Sequence, residues 1–504
     1  SHCNSRSYRN CTSFVSLAGL NMLSHRDRRQ DELFVAGSLR DLIPNDHILA
    51  RVDLILDLSW LREEVSDCYD LDQGRPGIDP EVAVRLMLAG LLCGIVHDRA
   101  LLREAQVNLA VRWFIGYRLH EALPDHSSLS RIRQRWGADR FRAVFQRSVQ
   151  CCLEAGLVVG DVVHVDATLI RADVSWDSLA LGHVAAVESA NEPGNGSGVE
   201  DDGSDNDAGG IPAKAKPPKL KKLSSTDPDA RMSTSRRDHV LEPSYRQLTT
   251  VDSAHGIVVD ATVVSADVHE GGTLVAQLER IEDLSGRHVG LVTADKGYAY
   301  SSNYQALNIW GTTWHGRVIP PQRTRKAKVP LSRFKYDAHH DLVRCPGGAT
   351  LRPRTRAGRD GRFYRARRQD CAACDWRRLC LPATAKARTL IIKDGHGALL
   401  RARRRHGKRL AIDRAVANRH RGLVEGIHGE AKARHGLSRA HRRGLWNLQI
   451  QAWLTAAAIN LKRLAKAYLR LLRHQIALQS LKRAIYYLTK PILWITNTLC
   501  QYPA

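Results

Sequence analysis

The chain has 504 residues, 43% of them hydrophobic, which is enough for sizeable cores in two to four domains. Its net charge is +24, and the excess is local: residues 317–443 hold 35 Lys and Arg against 9 Asp and Glu, so the remainder is close to neutral. A basic quarter this dense implies a polyanion partner, most simply nucleic acid, with a merely solubilising surface as the alternative. Eleven cysteines, seven scattered and four clustered late in the chain, and the lack of a secretory pattern exclude a disulfide framework and suggest a reduced, cytoplasmic protein. No apolar run is long enough for a membrane span, since KPILWITNTLC (490–500) is short and follows Lys482 and Arg483.

Met22 reads as a candidate start, and residues 1–32 are set aside as an uncertain leader. Residues 33–155 read as a helical N-terminal DNA-binding domain. A helix over 78–95 opens with Asp79-Pro80-Glu81, a cap followed by Pro at the first helical position. A second helix covers 99–117, and a third covers 124–137. The third presents Arg131, Arg133 and Arg135 beside a Leu129, Ile132 and Trp136 stripe. The spacing suits a helix-turn-helix reading element and suits equally a compact bundle whose arginines are solvated.

Residues 156–320 form the first part of a mixed α/β domain. DVVHVDATLI reads as a buried strand with Asp166 in its middle, and a carboxylate there requires a metal, a partner or backbone N–H bonds in a turn. Residues 188–230 read as a disordered linker in which an acidic block precedes a lysine block. SYRQLTTVDSAHGIVVDATVVSADV (244–268) reads as two strands around a tight turn, followed by a helix over 273–284. LVTAD is a further buried strand with Asp295 at its C-terminal end, where α/β folds place ligand chemistry.

Residues 321–400 form a basic, Cys-rich insertion. Cys345, Cys371, Cys374 and Cys380 could close a tetrahedral structural zinc site or remain free thiols. The arginines at 354, 356, 359, 362, 365, 367 and 368 suit phosphate contacts. In NRHRGLVEGIHGEAK (418–432) a regular helix puts Leu423, Val424, Ile427 and Ala431 on one arc. Asn418, Arg421, Glu425, His428 and Lys432 fall on the other. That polar face is either a solvated surface or one that brings Glu425 to the two aspartates. Residues 401–473 hold this helix and a core-forming helix over 447–472, and residues 474–504 form a tail without a readable role.

With these motifs in order, the chain resembles the DDE transposases of bacterial insertion sequences over roughly 33–470. HVDATLIRADVS resembles their first-Asp strand and VTADKGY their second-Asp motif. Asn418, Arg421, Glu425 and Lys432 meet the spacing of the Tyr-x₂-Arg-x₃-Glu-x₆-Lys signature, with Asn418 in place of the Tyr that relatives use near the cleaved DNA end. GRPGIDPEVAVRLMLAGLL and PDHSSLSRIRQR resemble the family's N-terminal helical domain, and TDPDARM recurs in one subgroup. The resemblance implies an RNase H-like fold in which Asp166, Asp295 and Glu425 hold two Mg²⁺ or Mn²⁺ ions for in-line displacement at phosphorus. It implies phosphate contacts by Arg421 and Lys432, with His428 a DNA contact or a surface histidine. The partner is double-stranded DNA at the transposon ends and the target, and the assembly on DNA is a homodimer or larger, associated with the nucleoid. An inactive DNA-binding remnant and a nuclease that cuts without joining are the rival readings, and a zinc hydrolase is the most distant.

Overall fold

The computed structural model describes residues 37–69, 77–181, 222–233, 241–316, 318, 329, 331–356, 361–407 and 411–499. The leader over 1–32, most of the acidic and lysine-rich linker, and Arg359 lie outside them. Helices α1 (Ile48–Asp53), α2 (Leu61–Glu64), α3 (Pro80–Leu92), α4 (Asp98–Val107), α5 (Leu109–Phe114) and α6 (His126–Glu154) form the N-terminal part. Asp79 caps α3 by accepting the Glu81 N–H, and Pro80 opens its first turn. The single helix expected over 99–117 is two helices. Asn108 adopts an extended backbone and its side chain accepts from the N–H groups of Ala110 and Val111, so it ends α4 and caps α5. The helix expected over 124–137 instead runs on to Glu154, bent at Gly137, whose φ of 67° favours glycine.

The main sheet contains β1 (Val162–Arg171) and, beyond a short ribbon of β2 (Leu179–Leu181) and β3 (Lys222–Ser224), strands β4 (Arg231–Ser233), β5 (Glu242–Asp252) and β6 (Val258–Ser265). Helix α7 (Leu274–Ser285) leads to β7 (Leu291–Ala294), and α8 (Ser301–Trp310) leads to β8 (Thr313–Trp314). The order is β4-β5-β1-β7-β8, with β6 also on β5. β5 is antiparallel to β1 and β6, whereas β1, β7 and β8 run parallel. This is the mixed sheet that a hairpin, a helix and a buried strand predict.

A second sheet is an antiparallel meander of β9 (Lys335–Asp337), β10 (Leu342–Arg344), β11 (Thr350–Arg356), β12 (Gly361–Arg365) and β13 (Thr389–Lys393). Helices α9 (Arg368–Ala372) and α10 (Arg377–Cys380) connect its last two strands. The chain then passes through α11 (His396–Gly407), α12 (Ala411–His420), a π-helical turn over Arg421–Glu425, α13 (Gly426–Arg434) and the 55-residue α14 (Leu445–Leu499).

Helix α14 ties the molecule together. Leu448, Ala452, Ala456 and Ile459 pack into the core of the main sheet, while Ile450, Leu454, Ala458, Leu461 and Ala465 pack into the N-terminal helices. A helix apolar on two faces is buried on both sides, so the N-terminal helices and the sheet share this element. Its polar residues close the exposed edge of β6: Asn460 bonds both the N–H and the C=O of Val258, and Gln449 bonds the Val263 N–H and the Ala261 C=O. TDPDARM, placed partly in the disordered linker by its composition, is ordered and holds the start of this helix. Asp227 accepts the Gly444 N–H and Asp229 accepts the Leu445 N–H, a pair of carboxylates at a helix N-terminus. No helix among the described residues is long and apolar enough to cross a membrane.

Candidate active site

The pairing of β1 with β7 aligns Val165 with Ala294. Asp166 follows on β1 and Asp295 is the first residue past β7, so the two start from neighbouring strand positions about 5 Å apart. Asp166 also lies opposite Thr249 of β5 in the middle of its own strand. β7 ends at Ala294, and Asp295 caps the following turn by accepting the Gly297 N–H at 2.6 Å.

The third acid arrives on the π-helical turn, which packs against β1 and β5 and buries Val424 completely. His428 is four residues beyond Val424, so on a regular helix it borders the apolar arc, and it is buried with Ile427 and Ala431. π-turns of this kind are frequent at functional sites. Glu425 is itself exposed and acts electrostatically on Asp166 and on His420.

The structure therefore brings Asp166, Asp295 and Glu425 together, and it adds Glu270. Burial pushes the Asp166 carboxyl up to about 7; the Ala167 N–H opposes this, and the negative charges of Asp295, Glu270 and Glu425 add to it. Burial, followed by the charge of Asp295, also raises Glu270. Arg246 stands 3.8 Å from Glu270 and partly offsets the effect. Glu270 enters the site because residue 297 is glycine: a Cβ there would overlap the Glu270 carboxylate and press on Asp295. Its sequence context, a polar HEGG turn, carries no strand or helix period, and only the Gly297 of the DKGY turn hints at a close approach.

Three histidines pack around the acids. The Thr293 hydroxyl lies between His164 Nδ1 at 2.5 Å and His420 Nδ1 at 2.7 Å, and the two rings meet edge to face at 5.4 Å. This contact joins β1, which carries Asp166, to β7 and the end of α12, which lead directly into Asp295 and the Glu425 turn. His164 is fully buried, and its pKa falls to about 4 chiefly through burial. His428 is 9% exposed and bonds the Thr249 hydroxyl at 3.1 Å, with Nδ1 3.8 Å from Asp166. Burial lowers its pKa to about 4, so it is a neutral support beneath Asp166 and not the DNA contact or surface residue that its spacing suggests. Lys432 is half-buried; burial lowers its pKa and the charge of Asp166 opposes this. The side chain of Arg421 lies outside the described residues.

Among the described residues, no group of three or more His, Cys, Asp or Glu side chains stands at metal-ligand spacing. For the four acids, the all-oxygen donor set and the mutual repulsion felt at Asp166 fit a hard divalent cation. The four cysteines gather in the small sheet's core region, likewise without metal-ligand spacing, and a closed zinc site is not supported. Cys371 turns into the core of the small sheet, where its sulfur accepts the Arg388 N–H at 3.5 Å. Cys345 and Cys374 flank Gly347, and Cys380 is half-buried, its pKa raised by burial and then, against Arg388, by the other three thiols. All four are free thiols.

The N-terminal arginines also separate. Arg133 is 5% exposed and forks onto Asp98 at 2.8 and 2.9 Å, with Arg442 joining the same carboxylate, so it is an internal tie and not a DNA contact. An arginine one helical turn beyond Leu129 and beside Ile132 falls toward the core, and only the buried Asp98 makes that tolerable. Arg131 remains exposed with a bond to Ser127, and Arg135 stacks over Tyr69 at 4.8 Å.

Residues 37–135 match a family described as a transposase domain (DUF772), and residues 344–465 match the transposase DDE domain family. No curated protein matches the chain. Among solved structures, a piggyBac transposase synaptic complex with hairpin DNA is similar at 11% identity with a TM-score of 0.29, over 82% of this chain and 73% of that one. A Mos1 transposase paired-end complex with the left transposon end is similar at 10% identity with a TM-score of 0.16, over 51% of this chain and 65% of that one. Both domain matches, one in the N-terminal helices and one in the segment that carries Glu425, are to transposase families.

Proposed function

We propose that the chain is the transposase of a bacterial insertion sequence, binding terminal inverted repeats, cleaving the element ends and joining them to target DNA. The observation that carries this reading is the meeting of Asp166, Asp295 and Glu425, from three distant parts of the sequence, in a chain matched at both ends by transposase families. The mixed sheet with parallel β1, β7 and β8, flanked by helices, supports an RNase H-like catalytic core.

Asp166, Asp295 and Glu425 would hold two Mg²⁺ or Mn²⁺ ions, which when bound supply activation of a water or 3′-hydroxyl and stabilisation of the leaving oxygen. The chain's own residues contribute geometry and charge. β1 and β7 fix the two aspartates at one level, and the His164–Thr293–His420 contact holds the third-acid helix against those strands. Lys432 places a cation beside the acids where a scissile phosphate would lie, and Arg421 contacts a flanking phosphate. Arg131 and Arg135 face DNA from the N-terminal helices. The protein acts as a homodimer or larger assembly on double-stranded DNA, in the cytoplasm at the nucleoid.

Asp166→Ala, Asp295→Ala and Glu425→Ala are each expected to abolish metal-dependent cleavage of end DNA while leaving its binding within a few-fold of the parent. Loss of binding and of folding in all three variants would mean that the acids are structural and would overturn the assignment.

A further inference from the structure

The two faces of the β9–β13 sheet are chemical opposites. Alternation along the strands turns Val343, Leu351, Tyr364, Leu390 and Ile392 into the small core, each at most 6% exposed. The same alternation turns Lys335, Arg344, Arg352, Arg365 and Lys393 outward, and all five are exposed. Between them lie Phe363, partly exposed, and Ile391, 43% exposed, directly opposite each other on β12 and β13.

The register makes this face unusual. Arg344 lies directly opposite Lys335, and Arg352 directly opposite Arg365. Like charges in directly opposed cross-strand positions destabilise a sheet. Among the described residues none of the five cations has an ion-pair partner, whereas Arg362, on the other side of β12, is held by Asp341 at 2.8 Å. The outward acid of this sheet, Asp337, is engaged by His340 and by the N–H groups of His339 and His340. The fold therefore places two repelling cation pairs on one open face beside two apolar side chains, an arrangement that a polyanion with an apolar edge would relieve.

We infer that this face is a docking surface for the backbone of duplex DNA, with the cations on phosphates and Phe363 and Ile391 against the deoxyribose edge. The two like-charged pairs cross four strands on a diagonal of roughly 15 Å. That length corresponds to about four base-pair steps along the duplex axis. The surface lies outside the carboxylate site and rests on the reading that the chain acts on DNA.

The test is fluorescence anisotropy of the full chain with a labelled duplex of arbitrary sequence, titrated over salt. Arg352→Gln/Arg365→Gln and Lys335→Gln/Arg344→Gln are compared with Arg470→Gln/Arg473→Gln, an equal charge loss at exposed positions of α14. Each sheet-face pair is expected to weaken binding on the order of tenfold and to lower the slope of log K against log salt by about 2. The melting temperature should hold or rise, because a repelling pair has been removed. Parent-like affinity and salt slope in both sheet-face variants, with the parent binding DNA, would overturn the docking surface and leave the proposed function standing. An equal loss in the α14 control would overturn it too, as a general charge effect. A parent chain that binds no duplex DNA would overturn both.

Discussion

Replacing Asp166 by Asn removes a buried carboxylate that Asp295, Glu270 and Glu425 repel, and keeps its shape. In the folded chain this carboxyl titrates near 7 instead of its ordinary 3.8. The unfolded chain therefore releases the Asp166 proton first as pH rises. The native state binds more protons between about pH 4 and pH 7, stability falls through that window, and the full penalty is present above it. At about 1.4 kcal/mol per pH unit, the shift corresponds to about 4 kcal/mol. A quarter of the side chain is exposed, and solvent screening reduces the expected gain to about 2 kcal/mol. Urea unfolding of metal-free protein should show Asp166→Asn more stable than the parent at pH 8 and equal to it near pH 4. Mn²⁺ should stabilise the parent at pH 8 by binding the folded state, and stabilise the variant much less. A variant less stable than the parent at pH 8 without metal would refute the reasoning, since Asp166 would then be held by partners and not strained by its neighbours.

Gly297→Ala should displace the Glu270 carboxylate and lower cleavage at least tenfold with a melting temperature close to the parent's; unchanged cleavage would show that Glu270 has no part in the site. Asp98→Ala leaves Arg133 and Arg442 facing one another without their acid, and a loss of about 3–5 kcal/mol is expected by urea unfolding. A loss below 1 kcal/mol would mean that the tie is not a buried one. Asn460→Leu strips two hydrogen bonds from the edge of β6 and should cost about 2–4 kcal/mol, with faster amide exchange at Val258. Protection of Val258 equal to the parent's would contradict the edge-closing role.

The parts of the fold legible in the sequence are those with a local period. β1, β5, β6 and β7 announce themselves by β-branched apolar runs, and α3 by its Asp79-Pro80 cap and apolar stripe. The aspartates at 166 and 295 stand out because carboxylates in or beside such runs demand an explanation. What escaped is what depends on contacts between distant segments. Glu270 lies in a turn without period and reaches the site only through space left by Gly297. His428 sits at the border between the polar and apolar arcs of its helix, so its spacing did not decide its side, and the Thr249 hydroxyl across the interface holds it on the buried one. Arg133 looked like its neighbours Arg131 and Arg135 until Asp98, 35 residues away, came to meet it. The cysteine spacing predicts a closed metal site, and the four thiols do come within electrostatic reach of one another, but not at metal-ligand spacing. TDPDARM looked like linker because its partners, Gly444 and Leu445, lie more than 200 residues downstream.

The central claim is that the gathered carboxylates make this chain cut and join DNA. The most direct measurement is an in vitro assay on duplex DNA carrying the element's ends, with Mg²⁺ or Mn²⁺, for the parent and Asp295→Ala. The account predicts metal-dependent cleavage and joined products from the parent and neither from the variant. Specific binding of the ends with no cutting by the parent would contradict it and leave a DNA-binding remnant, while cutting without joined products would make the chain a nuclease.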